Sequence, residues 1–326
     1  MADIQQISEQ IRTKSLFVDR ILREAGEVIV GQRTLLERLV MALLCDGHVL
    51  LEGLPGLAKT LTIKTLAHVI DVDCQRIQFT PDLMPADLVG TMIYNQKTGE
   101  LIPKKGPVFT NIVIADEINR APAKVQSALL EAMGEHQVTI GDATYKMADP
   151  FIVLATQNPI EQEGTYRLPE AQLDRFLFQL DVTYPSIHEE KAILDRMTAV
   201  QTPVAKKVCS AEEIREARGL CASLYMDDKV KDYILSLVFA SRFPEQYGLK
   251  NAYIAYGASP RATLALAKAS RAHAFLQHRG YVTPEDVKAV AYDVLRHRIC
   301  ISFDGEAEGM TASRVIDEML RHIVVP

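Results

Sequence analysis

The stretch "HVLLEGLPGLAKTLTIKTLAHVI", His48 to Ile70, joins an apolar run to a helical period through a glycine-bearing turn. The run HVLLEG (48–53) reads as a short strand ending in glycine. Beyond the turn, Ile63, Leu66, Ala67 and Ile70 fall at i, i+3, i+4 and i+7, one apolar stripe on a helix. The turn itself is one residue away from the phosphate-binding pattern G-x-x-x-x-G-K-[ST]. Gly53 opens it, Lys59 and Thr60 close it, and Ala58 stands where the last glycine belongs. Such a cradle needs backbone N–H groups converging on phosphate oxygens and a helix N-terminus behind them. Gly53 and Gly56 can supply the tight turns, and Pro55 shapes the loop without donating. Ala58 is acceptable if its φ is already helical. Lys59 would then reach the β- and γ-phosphates and Thr60 would ligate Mg²⁺. Without its setting, the same stretch reads as a plain glycine-rich turn between strand and helix.

Working outward, CQRIQFT (74–80), NIVIADE (111–117), FIVLATQ (151–157) and FLFQLDV (176–182) are four more strand candidates. Between the third and fourth strands Val125, Ala128, Leu129, Ala132 and Met133 form a helical stripe, with Pro122 suited to the first turn. Strands alternating with helices imply a parallel five-stranded α/β sheet with helices on both faces, its ligand beyond the carboxyl ends of the strands. Two hairpins interrupt the plan, at about 90–106, turning near Thr98-Gly99, and at 136–146, turning at Gly141-Asp142. They read as loop decoration or as functional inserts. After about residue 184 the strand signals stop. Ser186 with Glu189 and Ser210 with Glu213 are capping boxes. Residues 259–279 form a long helix with Pro260 in its first turn, and Thr283-Pro284 opens another, with the stripe Val287, Val290, Ala291, Val294 and Leu295. The expected division is an α/β nucleotide-binding domain over 1–184 and an all-helical domain over 185–326.

IVIADE supplies the chemistry that a phosphate loop lacks. Asp116 can hold a metal through its water shell, and Glu117 can orient or deprotonate a water attacking the γ-phosphate. Alternatively, the two acids precede a helix start, where anions are favoured. Asn158, just past the next strand, can hydrogen-bond the γ-phosphate or the water, or can make an Asx turn before Pro159. Arg175, ahead of the fifth strand, and Arg261, at a helix start in the second domain, are either charge stabilisers or surface ion pairs. The eight histidines show no metal spacing, and Asp293 with His297, four apart, reads as a surface pair.

Composition bounds the rest. A formal charge of −6 disfavours a dedicated duplex-DNA binder. Five scattered cysteines without a C-x-x-C pair read as reduced thiols, and the polar N-terminus has no signal-peptide core. No apolar run approaches a membrane span, so the expectation is a soluble, cytoplasmic protein.

Taken together, GLPGLAKT, ADEINRAPAKVQSALLEAMGEHQVT, ATQNPIEQEGTYRLPEAQLDRF and GASPRA resemble the AAA+ ATPases, specifically the MoxR family. The resemblance spans about Ile29 to Val325, and alanine before the loop lysine is typical of the family. It implies a P-loop AAA+ sheet domain with an all-helical lid. It implies Lys59 and Thr60 as Walker A residues, Asp116 and Glu117 as Walker B, Asn158 as sensor 1, Arg175 as arginine finger and Arg261 as sensor 2. The ATP contacts it implies are Val30, Gly31, Gly53, Leu54, Pro55, Gly56, Leu57, Ala58, Lys59, Thr60, Leu61, Asp116 and Arg261, with Mg²⁺ on Thr60 and Asp116. VIVGQ (28–32) resembles the adenine-side segment, and the two hairpins resemble the helix-2 insert and the pre-sensor-1 hairpin, which face the pore of related rings. A hexameric ring, a von Willebrand factor A-domain adaptor on a separate polypeptide, a protein client, and a chaperone-like role, either remodelling protein complexes or helping insert metal cofactors, follow as expectations. A nucleic-acid motor, for which Lys97, Lys104, Lys105 and Lys146 would line the pore, is the alternative. A P-loop kinase and a nucleotide-gated scaffold are further readings.

Overall fold

The structure, a computed structural model, describes residues 2–326 apart from Pro55, 159–164, Arg167, Val200, Thr202 and 250–252, with side chains from residue 7 onward. The chain begins with α1 (Ala2–Lys14), α2 (Leu16–Val28), α3 (Arg33–Leu44), β1 (Val49–Glu52), α4 (Lys59–Val69), β2 (Cys74–Gln78) and α5 (Pro85–Val89). The hairpin β3 (Gly90–Asn95)–β4 (Glu100–Lys105) follows, then β5 (Ile112–Asp116), α6 (Ala123–Glu135) and the hairpin β6 (Gln137–Ile140)–β7 (Ala143–Lys146). Next come β8 (Ile152–Gln157), α7 (Glu170–Leu173), β9 (Phe178–Asp181), α8 (Ile187–Met197), α9 (Ala211–Ala222) and α10 (Asp228–Arg242). The chain closes with β10 (Ile254–Tyr256), α11 (Pro260–Leu276), α12 (Pro284–Leu295), β11 (Cys300–Ile301), α13 (Phe303–Ala307) and α14 (Ala312–His322).

Two compact units result, one of Phe17–Arg175 with Leu180–Arg215, the other of Met1–Leu16, Phe176–Gln179 and Glu216–Pro326. The first is built on a five-stranded sheet in the order β2-β5-β8-β1-β9. β1 with β8, β5 with β8 and β2 with β5 pair in parallel. Ile112–Ala115 and Ile152–Thr156 are buried at every position, the signature of a parallel sheet covered on both faces. The helix after β1 buries Ile63, Leu66 and Ala67, the stripe that the sequence shows. Both hairpins form with the expected turns, and they meet: a Cβ added to Gly141, in the second turn, would lie 3.0 Å from the sulfur of Met92 in β3. Lys105 reaches over the rings of Phe109 and Tyr145, at 4.9 and 5.0 Å, so one of the four hairpin lysines is engaged with aromatic rings of its own chain.

The second unit is helical. α11 presents Ala262, Ala265, Ala269 and Ala272, and these small buried side chains let α12 approach with Val287, Val290, Ala291, Val294 and Leu295. A two-stranded antiparallel ribbon, β10–β11, adds to the expected helices; its strands are too short to carry a period. His297 departs from expectation. It is buried, its Nε2–H donates to Phe176 O at 3.0 Å, and burial together with the Arg298 charge holds its pKa well below the usual imidazole range. Asp293 pairs with Arg296 at 3.7 Å instead. Burial raises the thiol pKa values of Cys74 to about 11 and of Cys209 and Cys221 to about 12, so these thiols are poor nucleophiles at neutral pH. Among the described residues no helix is long and apolar enough to cross a membrane.

Candidate active site

β1 delivers the loop, and the neighbouring chain sets its shape. The Val182 N–H donates to Glu52 O at 2.7 Å, and a Cβ on Gly53 would meet Val182 O at 2.6 Å, so only glycine fits there. Gly56 has φ +86° with open space around it, the conformation for which glycine is suited. Leu54 is half-buried, Leu57 is buried and Pro55 lies outside the described residues. Lys59 opens α4, and its Nζ donates to Gly53 O at 2.7 Å across the loop. Burial lowers its pKa, against the raising effects of Asp116, Glu117 and Glu52. The lysine thus faces three carboxylates inside a half-buried cradle, with Thr60 beside it.

Ala58 does not have helical φ. It caps α4 in the left-handed conformation, φ 53° and ψ 19°. The loop geometry demands the backbone that the replaced glycine would adopt, and the methyl group meets the steric cost of order 1 kcal/mol. Ala58→Gly should therefore raise stability by up to about 1 kcal/mol in thermal or urea denaturation. A helical residue at this position would instead give a loss of similar size.

The acid pair sits at the end of β5. Asp116 Oδ1 accepts from Thr156 Oγ1 at 2.6 Å, and Oδ2 accepts from Arg76 Nε and Nη2 at 3.0 and 2.5 Å. Glu117 is left-handed, φ 56° and ψ 50°, a strained backbone for a non-glycine residue. It is held there by its N–H to Thr156 Oγ1 at 3.0 Å, by Gln78 Nε2 to Oε2 at 2.8 Å and by Arg120 Nε at 3.2 Å. The donor set suits a hard divalent cation carried on a triphosphate: a hydroxyl, a carboxylate, and one lone-pair direction left on Asp116 Oδ1, enough for a metal-bound water.

Beside the loop lies a cleft of roughly 430 Å³, within the range of small-ligand sites. Val30, Gly31, Leu57, Ala58 and Leu61 line one side, and Tyr184, Glu189, Ile193 and Met197 line another. Gly31, at φ +75°, suits glycine by its backbone, and the end of the Glu189 side chain lies where a Cβ would stand. Gln32 fastens the two halves of the site: its Nε2 donates to Leu57 O at 2.9 Å, and its Oε1 accepts from Thr62 Oγ1 at 2.6 Å.

The structure thus brings Lys59, Asp116 and Glu117 together and sets Val30, Gly31, Leu57, Ala58 and Leu61 around one cleft. Asn158 follows β8 directly after Gln157, two residues beyond the Thr156 that binds Asp116. Arg175 is exposed, and its Nη1 donates to Leu130 O at 2.9 Å, near the end of α6. Arg261 stands in the first turn of α11 in the second unit, its N–H on Ser259 Oγ at 3.1 Å. Sequence reasoning placed Gln32 only as the end of the adenine-side segment and missed Arg76, Gln78 and Arg120. The signal was present in part, since Arg76 and Gln78 alternate in CQRIQFT and so share one face of a strand.

Comparison with known proteins agrees with this geometry. The ATPase family associated with various cellular activities (AAA) matches residues 48–178, and the AAA lid domain matches residues 247–319. Chaperone MoxR1 of Mycobacterium tuberculosis is 48% identical over 95% of this chain and 82% of its own. Protein MoxR of Paracoccus denitrificans is 31% identical over 92% of this chain and 93% of its own. A crystal structure of a Cytophaga hutchinsonii protein, 48% identical, superimposes with a TM-score of 0.92 over 100% of this chain and 98% of its own.

Proposed function

Since the chain belongs to the MoxR family of AAA+ ATPases, we propose that it hydrolyses ATP at the interfaces of a hexameric ring and couples turnover to remodelling of a protein client. The observation that carries this reading is the convergence of Lys59, Asp116 and Glu117 at the carboxyl ends of β1 and β5, beside a cleft of nucleotide size. The base and ribose enter the cleft at Val30 and Gly31. Backbone N–H groups of the loop and the Lys59 ammonium take the β- and γ-phosphates. Thr60 and, through water, Asp116 would hold Mg²⁺, whose chemistry when bound would be a positive charge beside the phosphate oxygens.

Glu117, held in its left-handed turn, orients a water and accepts its proton as the water oxygen bonds to the γ-phosphorus. The β–γ bridging bond breaks, ADP departs with the bridging oxygen, and Glu117 passes the proton on to solvent. Gln78 and Arg120 stabilise the carboxylate that must be present at the start. Asn158 holds the γ-phosphate or the water, Arg261 senses the nucleotide from the lid, and Arg175 of one protomer completes the site of another.

The relative named a chaperone supports a chaperone-like output, and metal cofactor insertion into a client is the narrower form of it. In this reading the ring works in the cytoplasm with a von Willebrand factor A-domain adaptor. The exposed apolar hairpin residues Ile93, Tyr94 and Leu101 fit contact with protein better than with nucleic acid.

The test is Glu117→Gln. The variant should retain ATP with magnesium, assemble into the larger species on size exclusion, and hold a client that wild type releases. A variant that neither retains ATP nor self-associates would remove the basis of the proposal.

A further inference from the structure

Asp116, one of the two acids at the end of β5, is gripped by a cation from the edge strand that no step above uses. Arg76 places two N–H groups on Asp116 Oδ2, at 3.0 and 2.5 Å, and a third contact, Nη2 to Gln78 Oε1 at 3.0 Å, fixes the guanidinium. The β2–β5 register sets this up: Arg76 pairs with Ile114 and Gln78 with Asp116, so both side chains stand over the end of β5. The Phe79 N–H adds a bond to Asp116 O at 2.9 Å, locking the strand end to the acid. Arg76 is about half exposed, at 47%, while Asp116 is 16% exposed, so solvent reaches the cation more than the anion.

The charge distribution gives this pair a role. Glu52, Asp116 and Glu117 all act on the single ammonium of Lys59. Glu117 already has Arg120 at 3.2 Å, so Asp116 is the carboxylate whose repulsion of an entering triphosphate turns on Arg76, and like charges a few ångströms apart in a partly dry site repel strongly. Arginine does not lose its proton in a protein, so Arg76 gives Asp116 a permanent counter-charge.

We propose that Arg76, by neutralising Asp116, lets the loop accept a nucleoside triphosphate without its divalent cation, so that nucleotide and metal need not arrive together. This rests on the nucleotide-binding reading of the loop. Arg76 is a positioning residue: it acts through Asp116, and its effect is largest when no metal is there to do the same work.

The experiment is equilibrium binding of a fluorescent ATP, the N-methylanthraniloyl derivative, in saturating Mg²⁺ and in EDTA. Arg76→Gln should weaken binding about tenfold in EDTA and less than about threefold with Mg²⁺. Arg76→Lys should keep most of the EDTA affinity. Arg76→Gln combined with Asp116→Asn makes the pair neutral again and should return EDTA binding to the wild-type value. Equal losses with and without metal, or no loss in EDTA, would overturn the inference. Wild type failing to bind with Mg²⁺ would instead overturn the nucleotide reading beneath it.

Discussion

Arg175→Ala is expected to lower ATP turnover about 10³- to 10⁵-fold while leaving ATP affinity nearly unchanged. At 1.36 kcal/mol per decade, that is roughly 4 to 7 kcal/mol of lost transition-state stabilisation. The arginine is exposed, and one guanidinium nitrogen is tied to Leu130 O at 2.9 Å. A Cβ on Gly134 would collide with the same nitrogen, so α6 is shaped to let the guanidinium lie along it. The tether presents the charge at a fixed place, as a finger for a neighbouring protomer requires. Removing it costs one part-buried hydrogen bond, about 1 kcal/mol of stability, which is far too little to explain a thousandfold loss.

The direction of action can be read by mixing. Arg175→Ala subunits keep Glu117, and Glu117→Gln subunits keep Arg175. If the finger acts between protomers, some interfaces of a mixed ring contain both residues, and turnover should reappear in proportion to their number. If Arg175 acts on its own nucleotide, no mixture recovers activity. Coupled phosphate-release measurements across mixing ratios decide between the two.

Much of the sheet unit was legible because local signals agreed. All five strands lie within the stretches that sequence marked; β1, β5 and β8 are buried apolar runs, whereas β2 buries only Ile77 and shows its strand by alternation. The hairpins were legible through Gly99 and Gly141, both at positive φ. The condition set on Ala58, a helical φ, is not met, because the loop imposes a left-handed φ on whatever occupies the position. His297 was misjudged for a different reason: the helical spacing from Asp293 applies only inside a helix, and α12 stops at Leu295. Beyond α12 the four-residue offset no longer means a common face. The grips of Arg76 and Gln78 on the acid pair depend on β2 lying beside β5, some forty residues apart in the chain, in one particular register. The far wall of the cleft, Tyr184 to Met197, comes from a segment whose only local signal was a capping box. That box does form, and its Glu189 both caps α8 and packs on Gly31.

The largest stability effect is expected in the helical unit, at Asp286. Its side chain is fully buried and serves several partners at once. His273 Nδ1 lies at 2.6 Å from Oδ1, Arg279 donates to Oδ2 and Oδ1 at 2.9 and 2.5 Å, and the Thr283 N–H donates to Oδ2 at 2.8 Å, capping α12. Burial alone would raise the carboxyl pKa, yet the bonds from His273, Arg279 and Thr283 outweigh it and hold the group at about 2. Asp286→Ala removes the N3 half of the α12 capping box and leaves a guanidinium without its anion, a change of roughly 3 to 5 kcal/mol. Asp286→Asn, which keeps the shape and loses the charge, should fall between. The pH dependence has a definite sign. A carboxyl whose folded pKa lies below its unfolded value of 3.8 contributes stability above that value, and the contribution is lost as pH falls toward 2. In wild type this contribution is roughly 2 kcal/mol at neutral pH and fades between about pH 5 and 2. Urea denaturation followed by circular dichroism at pH 7 and at pH 3 should therefore show the gap between wild type and Asp286→Ala narrowing in acid. A gap that stays constant would mean that the aspartate contributes through packing rather than through its charge.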